Sequence, residues 1–406
     1  MKIVFIHQNM PGQYKHLAAK LAQNPDNQVV FITKRKDRSL PNVKRISYEV
    51  AREPSKSIHQ YLYRTEDAVL HGQAVARILV QMRKERFIPD IIITHPGWGE
   101  ALFAKDIFPD TPLLNHCEFY YQSRGQDLDF DPSHPPELDS ILRSRIRNTH
   151  LLLSLESCDR GLSPTQWQRS VHPKLYHPKI TVIHEGVDTT ALQPDANATF
   201  ALPDGTVLTR QDEVVTYVAR NLEPYRGFPT FMRAIPRICE QRPNAKILIV
   251  GGDGVSYGGP PTDAPNWREK MLAEVPVDPT RVHFLGYLPY DRFTQMLRVT
   301  SAHVYLTFPF VLSWSMLEAM ALGALVIGSR SKPVEEIITH GENGLLVDFF
   351  SPDNVADQVV SVLKNREDFT EIARAGRRTV LRKYDLAHCL KQQMSLIHSM
   401  VRGRRG

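Results

Sequence analysis

"KIVFIHQNMPGQYKHLAAKLAQ", residues 2–23, decides the fold. Lys2 to Ile6 is a short apolar run with β-branched residues, and Pro11 and Gly12 then break the chain. From Gly12 the spacing predicts a helix. A strand that runs through a tight turn into a helix aims backbone N–H groups and a helix N-terminus at the space above the strand. An anion is the natural occupant of that space, so Gly12 is a candidate binding residue.

The same grammar recurs outward from this unit. "QVVFIT", "IPDIIITH", "TPLLNH", "HLLLSLES" and "KITVIHEGVD" supply further apolar runs in the first half. They alternate with amphipathic stretches, the signature of βαβ units around a parallel sheet. A proline-bearing stretch of little periodicity, residues 189–213, follows and reads as the boundary between domains. The grammar restarts with "VVTYVAR" and continues through "AKILIVGG", "RVHFLG", "HVYLT", "GALVIGS" and "GLLVDF". The expected fold class is α/β, with two doubly wound Rossmann-like domains facing across a cleft. Their expected limits are 1–195 and 196–384, with a C-terminal helix at 385–406 that packs back toward the first domain.

At 406 residues the chain has room for two domains. Hydrophobic residues make up 42% and charged residues 23%, a globular composition. No apolar run reaches the roughly 18 residues a membrane span needs, and the N-terminus turns polar too early for a signal peptide. A cytoplasmic protein is expected, with a peripheral place at the inner membrane face as an extension. Cys117, Cys158, Cys239 and Cys389 lie far apart, without CxxC or zinc spacing, and read as reduced thiols. The formal charge of +6 suits an anionic membrane surface or a phosphorylated substrate. "TKRKDR" (33–38) and "RGRRG" (402–406) are the densest basic patches. No nucleic-acid motif accompanies them, so nucleic acid is not an expected partner.

Ligands of open α/β sheets sit beyond the carboxyl ends of the strands, so chemistry is sought there. The first half offers Gly12, His95, His116 with Glu118, and the Gly186–Asp188 turn. The second offers Arg220 with Arg226, the glycines of "IVGGDGVSYGG" (249–259), Gly286, and Glu318. Two guanidinium groups beside a helix start suit a diphosphate; the alternative is a surface pair bound to Glu223. The glycine stretch lacks both the GxGxxG and the GxxxxGK[ST] spacing, and reads equally as a turn after a buried strand. Glu318 is placed at the start of a helix that ends at Gly323. There it is either a dipole-favoured carboxylate or an acceptor for two vicinal hydroxyls. No Asp-x-Asp or His/Asp/Glu cluster with ligand spacing is seen at any strand end, so no metal is expected.

Taken together, these segments resemble the family 4 retaining glycosyltransferases of GT-B fold, over nearly the whole chain. The family's glycine loop, its NGVD-like turn and its Arg...Lys-Gly pair stand here as "PGQYKH", "HEGVD" and "RNLEPYRG". Its GxG loop, LG segment and E-x7-E-A-M-A-x-G motif stand as "GGDG", "LGYLPYDRFTQML" and "LEAMALG". "THPGWGEALFAKDIFPDTPLLNHCEFYY" and "LTFPFVLSWSMLEAM" further resemble a bacterial subgroup. The resemblance implies that Arg220 and Arg226 clamp a donor diphosphate, with Arg226 in place of the usual lysine. It implies that Gly12, Gly252, Gly286 and Tyr287 border the donor and that Glu318 holds the nucleotide ribose. His116 would touch the donor sugar or its phosphate; outside the family it reads equally as a packed histidine. One position departs: the motif's first glutamate, which contacts the transferred sugar in the family, falls on Phe310.

The implied activity is metal-independent, hexosyltransferase-like transfer from a nucleotide diphosphate sugar, with no cofactor. The acceptor would be a carbohydrate or lipid-linked hydroxyl, in polysaccharide or glycoconjugate biosynthesis. The catalytic residues are expected to be His116, Arg220 and Arg226, and His95, Glu118 and Asp127 face the acceptor, unless the acids of that loop are plain solvated surface. The alternatives are a catalytically silent nucleotide-sugar binding protein of the same fold, which loss of the glutamate at Phe310 would explain, and a nucleotide-sugar epimerase.

Overall fold

The computed structural model describes residues 1–403; the last three residues of the "RGRRG" patch and of the expected C-terminal helix lie outside them. The chain divides into two compact units. One is Met1–Gly186 together with the segment from Leu386 onward, and the other is Val187–Asp385.

In the first unit seven parallel strands form one sheet. They are β1 (Lys2–Ile6), β2 (Gln28–Thr33), β3 (Val43–Ser47), β4 (Ile91–Thr94), β5 (Leu113–His116), β6 (Arg160–Ser163) and β7 (Ile180–Val182). Their order is β3-β2-β1-β4-β5-β6-β7. The central strands are buried on both faces, which is why they read as continuous apolar runs. The order reverses between β1 and β4, so the loops after these two strands open a crevice at their carboxyl ends. Edge strand β3, "VKRIS", has no fully buried residue and left no apolar run to read; its charged side chains also blunt the edge.

One apolar segment forms a helix where its composition suggests a strand. "HLLLSLES" is the helix Thr149–Ser157, and the strand role passes to Arg160–Ser163. His150, Leu151, Ser154 and Leu155 face inward while Leu152 and Leu153 stay exposed, a helical stripe that a short apolar run conceals. The helix Leu386–Gly403 buries Cys389, Gln393, Ile397 and Val401 at four-residue spacing. Ile397 and Val401 join the core of Ile3, Phe5 and Leu17.

The second unit carries a short antiparallel hairpin, β8 (Thr199–Ala201) and β9 (Val207–Thr209). It also carries six parallel strands: β10 (Val214–Asn221), β11 (Lys246–Gly252), β12 (Val282–Gly286), β13 (Ala302–Tyr305), β14 (Leu325–Ser329) and β15 (Leu345–Val347). Their order is β12-β11-β10-β13-β14-β15, which puts the reversal between β10 and β13. The stretch 189–213 is therefore more than a connector: the division falls after Gly186, and Phe200 and Leu208 of the hairpin enter the core of this unit. Each strand contributes a single inward residue, too little for a visible alternation.

Candidate functional site

In the first unit the residues after β1, β4 and β5 meet at the sheet's switch point. The backbone N–H of Asn9 donates to His7 Nδ1 at 2.9 Å, so neutral His7 carries its proton on Nε2, 2.7 Å from Gln13 Oε1. Gln13 Nε2 donates in turn to Glu118 Oε1 at 2.6 Å. His95 repeats the device: Gly97 N–H donates to its Nδ1 at 3.1 Å, and its Nε2 faces Glu118 Oε2 at 3.3 Å. The chain thus converges two donors on one carboxylate. Desolvation works against its charge, but the imidazole of His95 and these hydrogen bonds hold the Glu118 carboxyl well below the usual range.

Gly12 belongs to the same arrangement. It adopts φ +51°, and a Cβ there would stand 2.5 Å from His7 Nε2. The space beside it is filled by the His7 imidazole, so the glycine is required by close packing as well as by backbone conformation. His116 ends β5, its ring stacked on His95 with centroids 5.3 Å apart. Its buried Nε2 lies 3.3 Å from Glu185 Oε1 without a well-aligned hydrogen bond. Burial pushes both His7 and His116 down to about 3, so they are neutral near pH 7. Asp127 is half-buried in the following loop, where its charge is felt by Tyr121.

The expectation that no His/Asp/Glu cluster stands at a strand end is corrected. His95, His116 and Glu118 offer ligand atoms all within 4.8 Å of one another. They come from two different strand ends, so spacing along the chain could not reveal them. The donor chemistry nevertheless favours hydrogen bonding over a cation, since His95 already uses its Nδ1 lone pair and points a proton, not a lone pair, into the cluster. His7, Gln13 and Glu185 escaped the sequence reading, although the first two flank Gly12 and the third lies in "HEGVD".

In the second unit Arg220 is exposed near the end of β10. Arg226 is instead buried, at 6% exposure. Its Nη1 donates to Thr307 Oγ1 at 2.7 Å, Tyr305 Oη at 3.2 Å and the Val311 carbonyl at 3.3 Å. Tyr305 Oη also accepts from Ser313 N–H at 2.7 Å, and Ser313 immediately precedes the helix Trp314–Ala321. Arg226 is thereby tied to the turn that leads into a helix N-terminus.

Glu223 bonds to neither arginine in the way a surface pair would. It is fully buried and accepts backbone N–H groups from Ser256, Tyr257 and Gly258 at 3.0–3.3 Å. The far half of the glycine stretch therefore holds the protein's own carboxylate where an anion nest was a candidate. Asn221 fastens the same half, its Nδ2 donating to Ser256 Oγ and its Oδ1 accepting from Tyr287 Oη, each close to 2.8 Å. Tyr287 lies across Gly252, in the space a Cβ would need, yet keeps 68% of its surface exposed just after Gly286.

Glu318 is the fifth residue of its helix, not the first, so the helix dipole does not account for it. Its Oε1 accepts from Tyr290 Oη at 2.7 Å. Phe310 is buried against Tyr257 and Tyr225, with centroids 5.1 and 6.1 Å away, while Phe308 stacks on Tyr225 at 4.7 Å.

Known proteins share this arrangement of sequence. Residues 25–192 match the family described as glycosyl transferase family 4 group, and residues 204–379 match glycosyl transferases group 1. The D-inositol 3-phosphate glycosyltransferase of Corynebacterium glutamicum is 27% identical over 192 residues, 47% of this chain. The match spans 44% of that relative, so the chain covers less than half of its length. The GDP-mannose-dependent alpha-(1-6)-phosphatidylinositol monomannoside mannosyltransferase of Mycobacterium tuberculosis is 30% identical over 319 residues, 74% of each chain. Among solved structures, sucrose-phosphate synthase from Thermosynechococcus elongatus superimposes with a TM-score of 0.75 at 17% identity, over 99% of this chain and all of that one. Anabaena HepE, solved with UDP and glucose, gives 0.67 at 16% identity over 98% and 100%. Two Rossmann-like sheets, two consecutive glycosyltransferase matches and a relative aligned over three quarters of its length lead to one conclusion: the chain belongs to the family 4 glycosyltransferases of GT-B fold.

Proposed function

We propose that the protein moves a sugar from a nucleotide diphosphate sugar to an acceptor hydroxyl, with retention at the anomeric carbon and without a metal ion. The observation that carries this reading is the link from Arg226 through Tyr305 to Ser313, which sets a permanent cation beside the N-terminus of the helix Trp314–Ala321. Exposed Arg220 near the end of β10 adds a second cation. Negative charge develops on the leaving diphosphate as the bond from the anomeric carbon to its oxygen breaks. Charges already in place there lower the barrier without reorganisation. The acceptor oxygen then bonds to the anomeric carbon, and its proton passes to the departing phosphate. Glu118, held ionised, is too weak a base for that proton and instead orients the acceptor hydroxyl, while His116 approaches the transferred sugar.

The relatives' names speak of inositol phosphate and phosphatidylinositol mannoside acceptors. They support a polyol or lipid-linked acceptor and a place in glycoconjugate biosynthesis. Among the described residues no helix is long and apolar enough to cross a membrane; a cytoplasmic protein working at the membrane surface fits the proposal.

The test is a binding and turnover screen of UDP-, GDP-, TDP- and ADP-sugars, with Arg220→Ala as control. One donor should bind and turn over slowly, and both signals should collapse in the variant. A second reading, a nucleotide-sugar binder without transfer, is favoured by Phe310, whose packed ring occupies the place of an acidic sugar contact. Binding without cleavage, even with cell extract as acceptor, would establish it. Free rearranged sugar nucleotide made without any acceptor would point to an epimerase.

A further inference from the structure

The turn Pro96–Trp98 after β4 is held from several sides. Gly97 N–H donates to His95 Nδ1, and the Gly97 carbonyl accepts from His150 Nε2 at 3.1 Å. Gly99, at φ +87°, packs so closely on Ala68 that a Cβ there would stand 2.5 Å from it. Trp98 is thereby set with its indole against the rings of His95 and His7, centroids 4.9 and 5.2 Å away, and it stays only partly buried. A fixed, partly exposed indole suits a saturated sugar or polyol ring, whose C–H groups are drawn to the negative π face.

Glu118 supplies the polar half of the same place. Its side chain keeps 30% of its surface exposed beside His95. Gln13 bonds to Oε1 and His95 faces Oε2, which leaves each oxygen a further lone pair. A carboxylate held ionised can only accept, so it takes hydroxyl donors, and its two oxygens suit two neighbouring hydroxyls. Among the described residues no lysine or arginine pairs with Glu118. The imidazoles of His7 and His116 are neutral near pH 7, and His95, which accepts at Nδ1, carries a single proton. The charge fixed beside Trp98 is therefore negative, and a phosphate brought against it would meet a like charge.

We propose that Trp98 and Glu118 form a subsite that selects an uncharged, polyhydroxylated six-membered ring and rejects its phosphorylated form. That this ring is the acceptor rests on the transfer reading; its binding does not.

The experiment is saturation-transfer NMR of the full chain with methyl α-glucoside and myo-inositol, each against its phosphate, glucose 6-phosphate and inositol 3-phosphate. UDP or GDP is present in parallel samples. Both neutral rings should receive saturation on their C–H protons, and the phosphates should bind at least about tenfold more weakly. Glu118→Gln keeps an acceptor but removes the charge, and should bring ring and phosphate within a few-fold of each other. A merely structural role for Glu118 would leave that ratio unmoved. Trp98→Ala should weaken the neutral rings by about tenfold, and Trp98→Phe should recover part of the loss. Where Trp98→Ala fails to fold, Trp98→Phe and the ratio in Glu118→Gln still decide.

Equal binding of ring and phosphate by the parent, an unchanged ratio in Glu118→Gln, or a folded Trp98→Ala that binds like the parent would each overturn the proposal. So would the absence of saturation on both neutral rings at about 10 mM, with or without nucleotide. Neutral rings that bind while no donor turns over would remove the transfer reading and leave the subsite standing. Turnover onto phosphorylated acceptors alone would keep transfer and remove the subsite.

Discussion

His95 Nε2 lies 3.3 Å from Glu118 Oε2, and because His95 Nδ1 accepts from the Gly97 N–H, the ring's proton sits on Nε2. The pair is a donor and a fixed anion. Replacing His95 with Phe removes the donor and lets the Glu118 carboxyl climb toward the ordinary carboxylate value of about 4.3. The lowered value stabilises the fold above the ordinary value, and the contribution is lost as pH falls from there through the folded value of about 2. His95→Phe should therefore unfold at higher pH on acidification, and the acid limb of its donor-turnover profile should move upward. His95→Gln, which can still donate, should move both less. Identical acid limbs in parent and His95→Phe would remove Glu118 from the chemistry.

Gly12→Ala tests the close packing of the opening turn. The new methyl would meet the His7 ring at 2.5 Å, on a backbone at φ +51° that side chains resist. Left-handed backbone costs about 1–2 kcal/mol and overpacking a further 1–3 kcal/mol. Calorimetry should show a loss on that scale. Turnover should fall beyond what stability explains, because His7 and Gln13 lead directly to Glu118.

The two arginines should separate in one experiment. Arg220→Ala, at an exposed position, should leave the unfolding midpoint within error while donor binding falls. Arg226→Ala removes the donor to the buried Thr307 hydroxyl and to the half-buried Val311 carbonyl and should cost about 1–3 kcal/mol of stability as well. If Arg226→Ala were as stable as the parent, its bonds to Thr307 and Tyr305 would not be those of the protein in solution.

What the sequence made legible follows from which interactions are local. β1, β4 and β10 could be read because strands buried on both faces are apolar along their length. His116, Arg220 and Glu318 stood out because they fall at or near strand ends or in a spaced motif. The network of His7, Gln13, His95 and Glu118 did not, since its members come from loops after three strands and only the sheet order makes them neighbours. Glu223 misled for a related reason: its partners are backbone amides 33–35 residues away, which no residue type advertises.

A buried group apart from this network gives a pH-dependent test. Glu100 is 1% exposed, and burial pushes its carboxyl up to about 7. Tyr48 Oη stands 2.9 Å from Glu100 Oε1 and 2.8 Å from His71 Nδ1. One hydroxyl proton cannot serve both; with Glu100 protonated, its own proton goes to Tyr48 and that of Tyr48 goes to His71. Because the folded value lies above the unfolded one, this contribution is fully present below about pH 4.5 and is lost as pH rises through 7. His7 and His116 act oppositely: their folded values lie below 6.5, so they favour the fold above that pH and destabilise it as pH falls toward 3. A comparison with Glu100→Gln cancels the histidines, which both proteins share. At pH 8 the variant, with no charge to bury, should be the more stable, by at most about 3 kcal/mol at 1.4 kcal/mol per pH unit. At pH 5 the advantage should vanish or reverse, since an amide cannot supply the carboxyl proton. Urea unfolding of both proteins between pH 5 and 8 reads the crossover, and parallel curves would mean that Glu100 does not change its protonation on folding.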